Sequence, residues 1–123
     1  MELTLLKSKI HRAKITNSLL DYEGSFAIDR DLMDLVGMVP YEKILISNMA
    51  NGSRLETYII EAPRQSRSFI LNGAAALLGK EGDLVTVFAF ASMTPDEAKT
   101  FKPKIVTLDD NNNIAKISGG DDA

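Results

Sequence analysis

A chain of 123 residues with 45% hydrophobic and 25% charged residues has the composition of one folded domain around one core. It contains no Cys and a single His, which excludes a disulfide scaffold, a thiolate metal site, a Cys nucleophile and a His-rich zinc site. With 14 basic against 17 acidic residues the net charge is −3, which argues against a nucleic-acid partner; with no long apolar run and no signal core in Met1–Lys9, the expectation is a cytoplasmic protein that does not enter membranes.

Period-two alternation dominates the chain. Leu3–Thr16 mixes Leu3, Leu5, Leu6, Ile10, Ala13 and Ile15 with Lys7, Lys9, His11, Arg12 and Lys14, the pattern of a long or bent half-buried strand. Ser25–Arg30 reads as a short strand, and Asp31–Val36 as a short helix capped by Asp29 or Asp31 and stopped near Gly37 and Pro40. The strand Lys43–Ser47 follows a loop at Val39–Lys43, and the hairpin signal Asn51-Gly52 turns it into Arg54–Ile60. On that return strand Arg54, Glu56, Tyr58 and Ile60 share one face, with Leu55, Thr57 and Ile59 on the other. After a turn at Pro63, the strand Ser68–Leu71 runs into Asn72-Gly73-Ala74-Ala75-Ala76. Leu84–Ala91 is a central strand, Thr94-Pro95-Asp96-Glu97 a capping box that opens a short helix, and Ile105–Leu108 and Ile114–Ile117 flank the turn Asp109–Asn113. The domain is expected to span residues 1–117, with 118–123 a disordered tail. About six short strands with little helix favour a β-barrel over a sandwich.

The residues able to do chemistry each admit an ordinary reading. Gly24-Ser25 is a common turn pair; it is also a pair in which a Ser hydroxyl can attack the preceding carbonyl and turn an amide into an ester. Lys9 and His11 share a strand face that charge alone explains. Arg54 can hold a carboxylate and Tyr58 can deliver a proton, or both can be surface residues of a strand. Thr57 points away from Tyr58 in an ideal strand. Asn72 to Ala76 is either a tightly packed helix start or a turn whose backbone N–H groups can hold an oxyanion or carboxylate. There is no GxGxxG, phosphate loop, metal-ligand spacing or Ser-His-Asp arrangement.

In order, Ser8-Lys9-Ile10-His11-Arg12-Ala13, Tyr22-Glu23-Gly24-Ser25, Asn51-Gly52-Ser53-Arg54-Leu55-Glu56-Thr57-Tyr58, Asn72-Gly73-Ala74-Ala75-Ala76 and Gly82-Asp83 resemble the pyruvoyl-dependent aspartate 1-decarboxylases from Lys7 to about Ile117. The resemblance implies a mainly β fold, a double-psi β-barrel with a few short helices, assembled as a homotetramer with active sites between subunits. It implies a precursor that cleaves itself between Gly24 and Ser25, by N-to-O acyl shift and elimination, into chains 1–24 and 25–123. The cofactor is then a covalent pyruvoyl group made from Ser25, with no metal. The reaction implied is decarboxylation of L-aspartate to β-alanine through a Schiff base, for pantothenate and coenzyme A synthesis; whether an accessory maturation protein is a further partner is left open by the sequence.

By the same resemblance, Ser25 and Tyr58 are catalytic and Gly24 carries the scissile carbonyl. Thr57 assists processing. Lys9, Arg54, Thr57, Asn72, Gly73, Ala74 and Ala75 bind substrate, and His11 and Tyr22 support the site. Val39–Lys43 and Ser118–Ala123 depart from the family pattern and are expected to stand clear of the site. A non-catalytic double-psi barrel that binds a partner is the competing expectation. It accounts for the strand pattern but not for the joint presence of Gly24-Ser25, Arg54, Tyr58 and Asn72–Ala76.

Overall fold

The computed structural model describes residues 1–119. Nine strands, two short α-helices and one 3-10 turn follow in the order β1 (Leu3–Lys14), β2 (Asn17–Leu19), β3 (Ser25–Asp29), α1 (Arg30–Val36), β4 (Lys43–Asn48), β5 (Arg54–Ala62), β6 (Phe69–Asn72), the 3-10 turn Gly73–Leu78, β7 (Leu84–Met93), α2 (Pro95–Thr100), β8 (Lys104–Leu108) and β9 (Ile114–Ser118). The short β2 has no signature in the sequence. At the other end β9 includes Ser118, paired with Ile105, so the ordered sheet reaches one residue into the segment expected to be a tail. Residues 120–123 lie outside the described residues.

The strands form one sheet in the order β2-β6-β3-β5-β4-β7-β1-β8-β9. Laid flat, that order would set β1 and β2 roughly 29 Å apart at the usual strand spacing. Yet only Ile15 and Thr16 separate the two strands, and the three steps from Lys14 to Asn17 reach at most about 11 Å. The sheet must therefore roll up on itself. Hydrogen bonds at the seam hold it closed: Thr16 N–H donates to Phe69 O at 2.8 Å, and Phe69 N–H donates back to the Thr16 hydroxyl at 3.0 Å. Asn112 spans the same seam, accepting from Lys14 N–H and donating to the carbonyls of Lys14 and Arg67. The mainly β barrel with a few short helices is thus the observed architecture. Parallel pairings of β1 with β8, β2 with β6 and β3 with β5 sit among antiparallel ladders, which requires crossing connections of the kind a double-psi path uses.

Alternation places the core inside. Ile44 and Ile46 on β4, and Val85, Val87 and Ala89 on β7, are buried, while their neighbours along each strand are less so. Phe26 and Phe69 meet at the centre with ring centroids 5.9 Å apart. β3 is covered on both faces, so all five of its residues are buried. α1 closes one end with Leu32, Met33 and Val36. It starts at Asp29, whose side chain caps Asp31 N–H, and stops at Gly37, whose φ of 76° is open to a residue without Cβ. α2 opens with the expected capping box between Thr94 and Glu97. Among the described residues no helix is long and apolar enough to cross a membrane.

Asp29 does more than cap. Fully buried, its carboxylate also accepts from Gln65 N–H at 3.1 Å and Arg67 N–H at 2.7 Å, tying the loop before β6 to the end of β3. Asp29→Ala leaves three backbone donors without this acceptor. It should lower unfolding stability by about 3 kcal/mol in urea titration; a loss under about 1 kcal/mol would show that water replaces the carboxylate.

Candidate active site

The site is built where β3 begins. In the antiparallel β3–β6 ladder Ser25 stands opposite Asn72, and Asn72 Nδ2 donates to Ser25 Oγ at 3.0 Å. Both residues are 2% exposed, while Tyr22, Glu23 and Gly24 just before them are exposed. The hydroxyl is thus held in a dry setting directly after an exposed glycine. Asn72 Oδ1 is buried and has no hydrogen-bond partner among the described residues.

Gly73, the first residue of the 3-10 turn, has φ +75°, and a Cβ there would lie 2.8 Å from Gly24 Cα and 3.0 Å from Tyr22 O. The turn backbone therefore presses directly on the Tyr22–Gly24 segment. Gly24 itself has no left-handed φ, and a Cβ added to it would meet nothing within 4 Å, so the demanding glycine of this pair is Gly73. Ala74 is exposed and Ala75 half-buried on the same turn.

On its other side β3 runs parallel to β5, with Phe26 beside Ile59. One step back along both strands, this register brings Tyr58 beside Ser25. Tyr58 is partly exposed and opposite Lys43 of β4, and its ring lies 6.4 Å from that of Tyr41. Thr57 pairs with the buried Ile44 and is half-buried, on the face away from Tyr58, as alternation expects.

Arg54 begins a second row across the sheet. It pairs with Ser47 of β4, and Ser47 with Thr86 of β7. Thr86 Oγ1 is 3.3 Å from His11 Nδ1 on β1. A bulge between Ile10 and Ala13, with Arg12 at φ 64°, re-aims β1 at this point. Lys9 lies on the same face, its Nζ 6.0 Å from the centre of the Phe88 ring, and Phe88 is two residues from Thr86. Burial first, then the charges of Lys9 and Arg12, hold the His11 imidazole below the ordinary histidine range, so it is neutral at pH 7. Among the described residues neither Lys9 nor Arg54 belongs to an ion pair, whereas Lys7, Arg30, Lys43 and Arg64 each have a carboxylate. Two uncompensated cations on one face suit a ligand with carboxylates.

One chain thus brings Ser25, Asn72, Gly73, Gly24 and Tyr22 together, with Tyr58 beside them, and gathers Lys9, His11 and Arg54 on a neighbouring row. In the sheet order β1 lies four strands from β3, while across the seam its end meets β6, the other neighbour of β3. Two participants escaped the sequence reading. Thr86 is the polar member of an apolar strand, and only its register opposite Ser47 exposes its role. Tyr41 sits in the loop expected to stand clear of the site, yet its ring contacts Tyr58; its one sequence signal is a large aromatic just after Pro40, on a loop.

Comparison with known proteins gives a consistent answer. The family model described as aspartate decarboxylase matches residues 1–115. A protein of Chloroherpeton thalassium named aspartate 1-decarboxylase is 51% identical over 95% of this chain and 86% of its own length. One of the same name from Caulobacter vibrioides is 50% identical over 96% of this chain and 100% of its own. Among solved structures, the computationally designed protein msDPBB_sym2 aligns with a TM-score of 0.45 at 15% identity, covering 72% of this chain and 99% of its own.

Two outcomes follow from the geometry. Gly73→Ala drives a Cβ into Gly24 at an unfavourable φ and should cost about 2 kcal/mol in denaturant unfolding; an unchanged midpoint would mean the turn yields freely. The His11 ring should titrate below 6.5 when followed by NMR, with Lys9→Met moving the midpoint up. A midpoint at or above 6.5 in the unmodified chain would contradict the packing described.

Proposed function

Since the chain belongs to the aspartate decarboxylase family and is therefore a lyase that releases CO2 from aspartate, we propose that it works with an electrophile made from its own Ser25, after cutting itself between Gly24 and Ser25. The observation that carries this reading is the setting of Ser25: a buried hydroxyl held by Asn72 and directly preceded by an exposed glycine.

Cleavage needs no outside reagent but water. Ser25 Oγ attacks the Gly24 carbonyl carbon, the Gly24–Ser25 C–N bond breaks, and an ester and a free amine result. Loss of the Cα proton expels the Gly24 carboxylate and leaves a dehydroalanine at position 25. Its tautomer is hydrolysed by water to a ketone, releasing ammonia. Thr57 is assigned to help the acyl shift, and the backbone N–H groups of Gly73, Ala74 and Ala75 to hold the oxyanion that forms.

The residues present fit a small carbonyl group at position 25. Asn72 Nδ2 already donates to the oxygen there, its Oδ1 has no partner among the described residues, and Gly73 brings the backbone close without a side chain in the way. Once formed, the pyruvoyl group supplies the electron sink that a decarboxylation at Cα requires and that no ordinary side chain offers. The rest falls to the chain's own side chains. Lys9 and Arg54 hold the two carboxylates of L-aspartate. Tyr58, beside residue 25, returns a proton to Cα after CO2 leaves, giving β-alanine. Neutral His11 and Tyr22 support the pocket. The site is taken to be completed between copies, in a homotetramer. The product suits cytoplasmic synthesis of pantothenate and coenzyme A.

The test is intact-mass analysis with a turnover assay. The unmodified protein should yield pieces 1–24 and 25–123 and convert L-aspartate to β-alanine, and Ser25→Ala should stay whole and inactive. A Ser25→Ala chain that is cut, or that turns over, would overturn the reading. Tyr58→Phe should be cut and folded but slower by about a hundredfold or more in kcat; an unchanged kcat would remove Tyr58 as the proton donor.

A further inference from the structure

The loop between α1 and β4 is braced more heavily than a connection needs. Lys7 Nζ, reaching across from β1, donates to Gly37 O at 2.9 Å and to Glu42 Oε2 at 2.6 Å. The other carboxylate oxygen of Glu42 accepts from Val39 N–H at 3.0 Å. Tyr41 N–H donates to Ile59 O at 2.7 Å, and Ile59 N–H donates to Glu42 O at 3.0 Å. Both ends of the Tyr41–Glu42 step are therefore pinned to the residue that follows Tyr58 on β5.

Within this brace Tyr41 is held at φ 71°. That left-handed region suits Gly or Asn and is unfavourable for a residue with a bulky side chain. Burial does not compensate, because Tyr41 is 78% exposed. What the ring does touch is Tyr58, with centroids 6.4 Å apart and planes tilted by 33°, within the range of a favourable aromatic pair. A strained, exposed aromatic with one aromatic neighbour is poor use of a loop position for stability alone. Strain of this kind is kept where the surroundings enforce it for a purpose.

We propose that Tyr41 is a positioning residue for Tyr58: the braced loop sets its ring against the phenol of Tyr58 and limits the angles from which that hydroxyl reaches residue 25. The inference rests on the assignment of proton delivery to Tyr58. It requires the Tyr41 ring and not its hydroxyl, and Lys7 and Glu42 serve it at one remove by holding the loop.

The test compares Tyr41→Gly, Tyr41→Phe and Tyr58→Phe, each as purified, processed protein. Tyr41→Gly removes the ring and relieves the φ, so its Tm should be equal or higher. Its kcat should fall about three- to tenfold, with KM within about twofold. Tyr41→Phe should keep kcat within about twofold of the unmodified protein. In protein carrying ring-labelled tyrosine, the Tyr58 ring resonance, assigned by its absence in Tyr58→Phe, should shift in Tyr41→Gly and stay in place in Tyr41→Phe. An unchanged kcat in Tyr41→Gly overturns the proposal, as does an unmoved Tyr58 resonance. A fall in kcat accompanied by a changed oligomeric state also overturns it, since the ring would then serve an interface. Full kcat in Tyr58→Phe is a separate failure: it removes the donor assignment on which the positioning role depends.

Discussion

The register of one five-residue strand governs this site. β3 is held antiparallel to β6 on one side and parallel to β5 on the other, with no exposed face of its own. A slip of one residue in either ladder would turn Ser25 away from Asn72 and put Phe26 where the hydroxyl belongs. The cost of that slip is large, because Phe26 and Ile28 are fully buried and Phe26 meets Phe69 at the barrel centre. Core packing thereby fixes the position of a polar group at the strand's first residue. Closure of the sheet at Thr16–Phe69, opposite Ile28, and the Asp29 carboxylate both secure this strand at the end away from Ser25.

Around that fixed point the fold separates two chemical settings. Ser25 lies in a dry recess with one amide donor on its oxygen. Lys9, His11 and Arg54 lie on more accessible sheet surface, where neither Lys9 nor Arg54 has an ion-pair partner among the described residues. An electrophile works best away from water, and a dianionic substrate is drawn best by cations that are free to meet it. The Tyr58 side chain stands between the two settings, partly exposed and next in register to Ser25. With His11 neutral and Arg12 paired with Asp110, the positive charge of this surface rests with Lys9 and Arg54.

Much of this was legible in the sequence because it is local. The apolar run of the strand Leu84–Ala91, the hairpin at Asn51-Gly52, the capping box at Thr94 and the Asp29–Gly37 bounds of α1 all depend on neighbours within a few residues, and each is found. The opposite faces of Thr57 and Tyr58 are also as alternation expects. What stayed hidden depends on long-range pairing. β2 is three residues long and exists because β6 lies beside it. Thr86 matters because His11 arrives at 3.3 Å from 75 positions away. Tyr41 looked like part of a loop standing clear of the site, and its contact with Tyr58 follows from a backbone bond to Ile59 that no spacing rule anticipates. The role of Gly73 was half legible: a glycine opening a turn was evident, but its pressure on Gly24 needed the β3–β6 register.

The central claim is that residue 25 becomes a carbonyl electrophile by the chain's own chemistry. The most direct measurement is the mass of the purified protein before and after treatment with a carbonyl-reactive hydrazide. The account requires a fragment 25–123 that takes up one hydrazide at its first residue and loses decarboxylase activity in step with labelling. An active protein whose residue 25 remains an unlabelled serine, in a cut or an uncut chain, would contradict it.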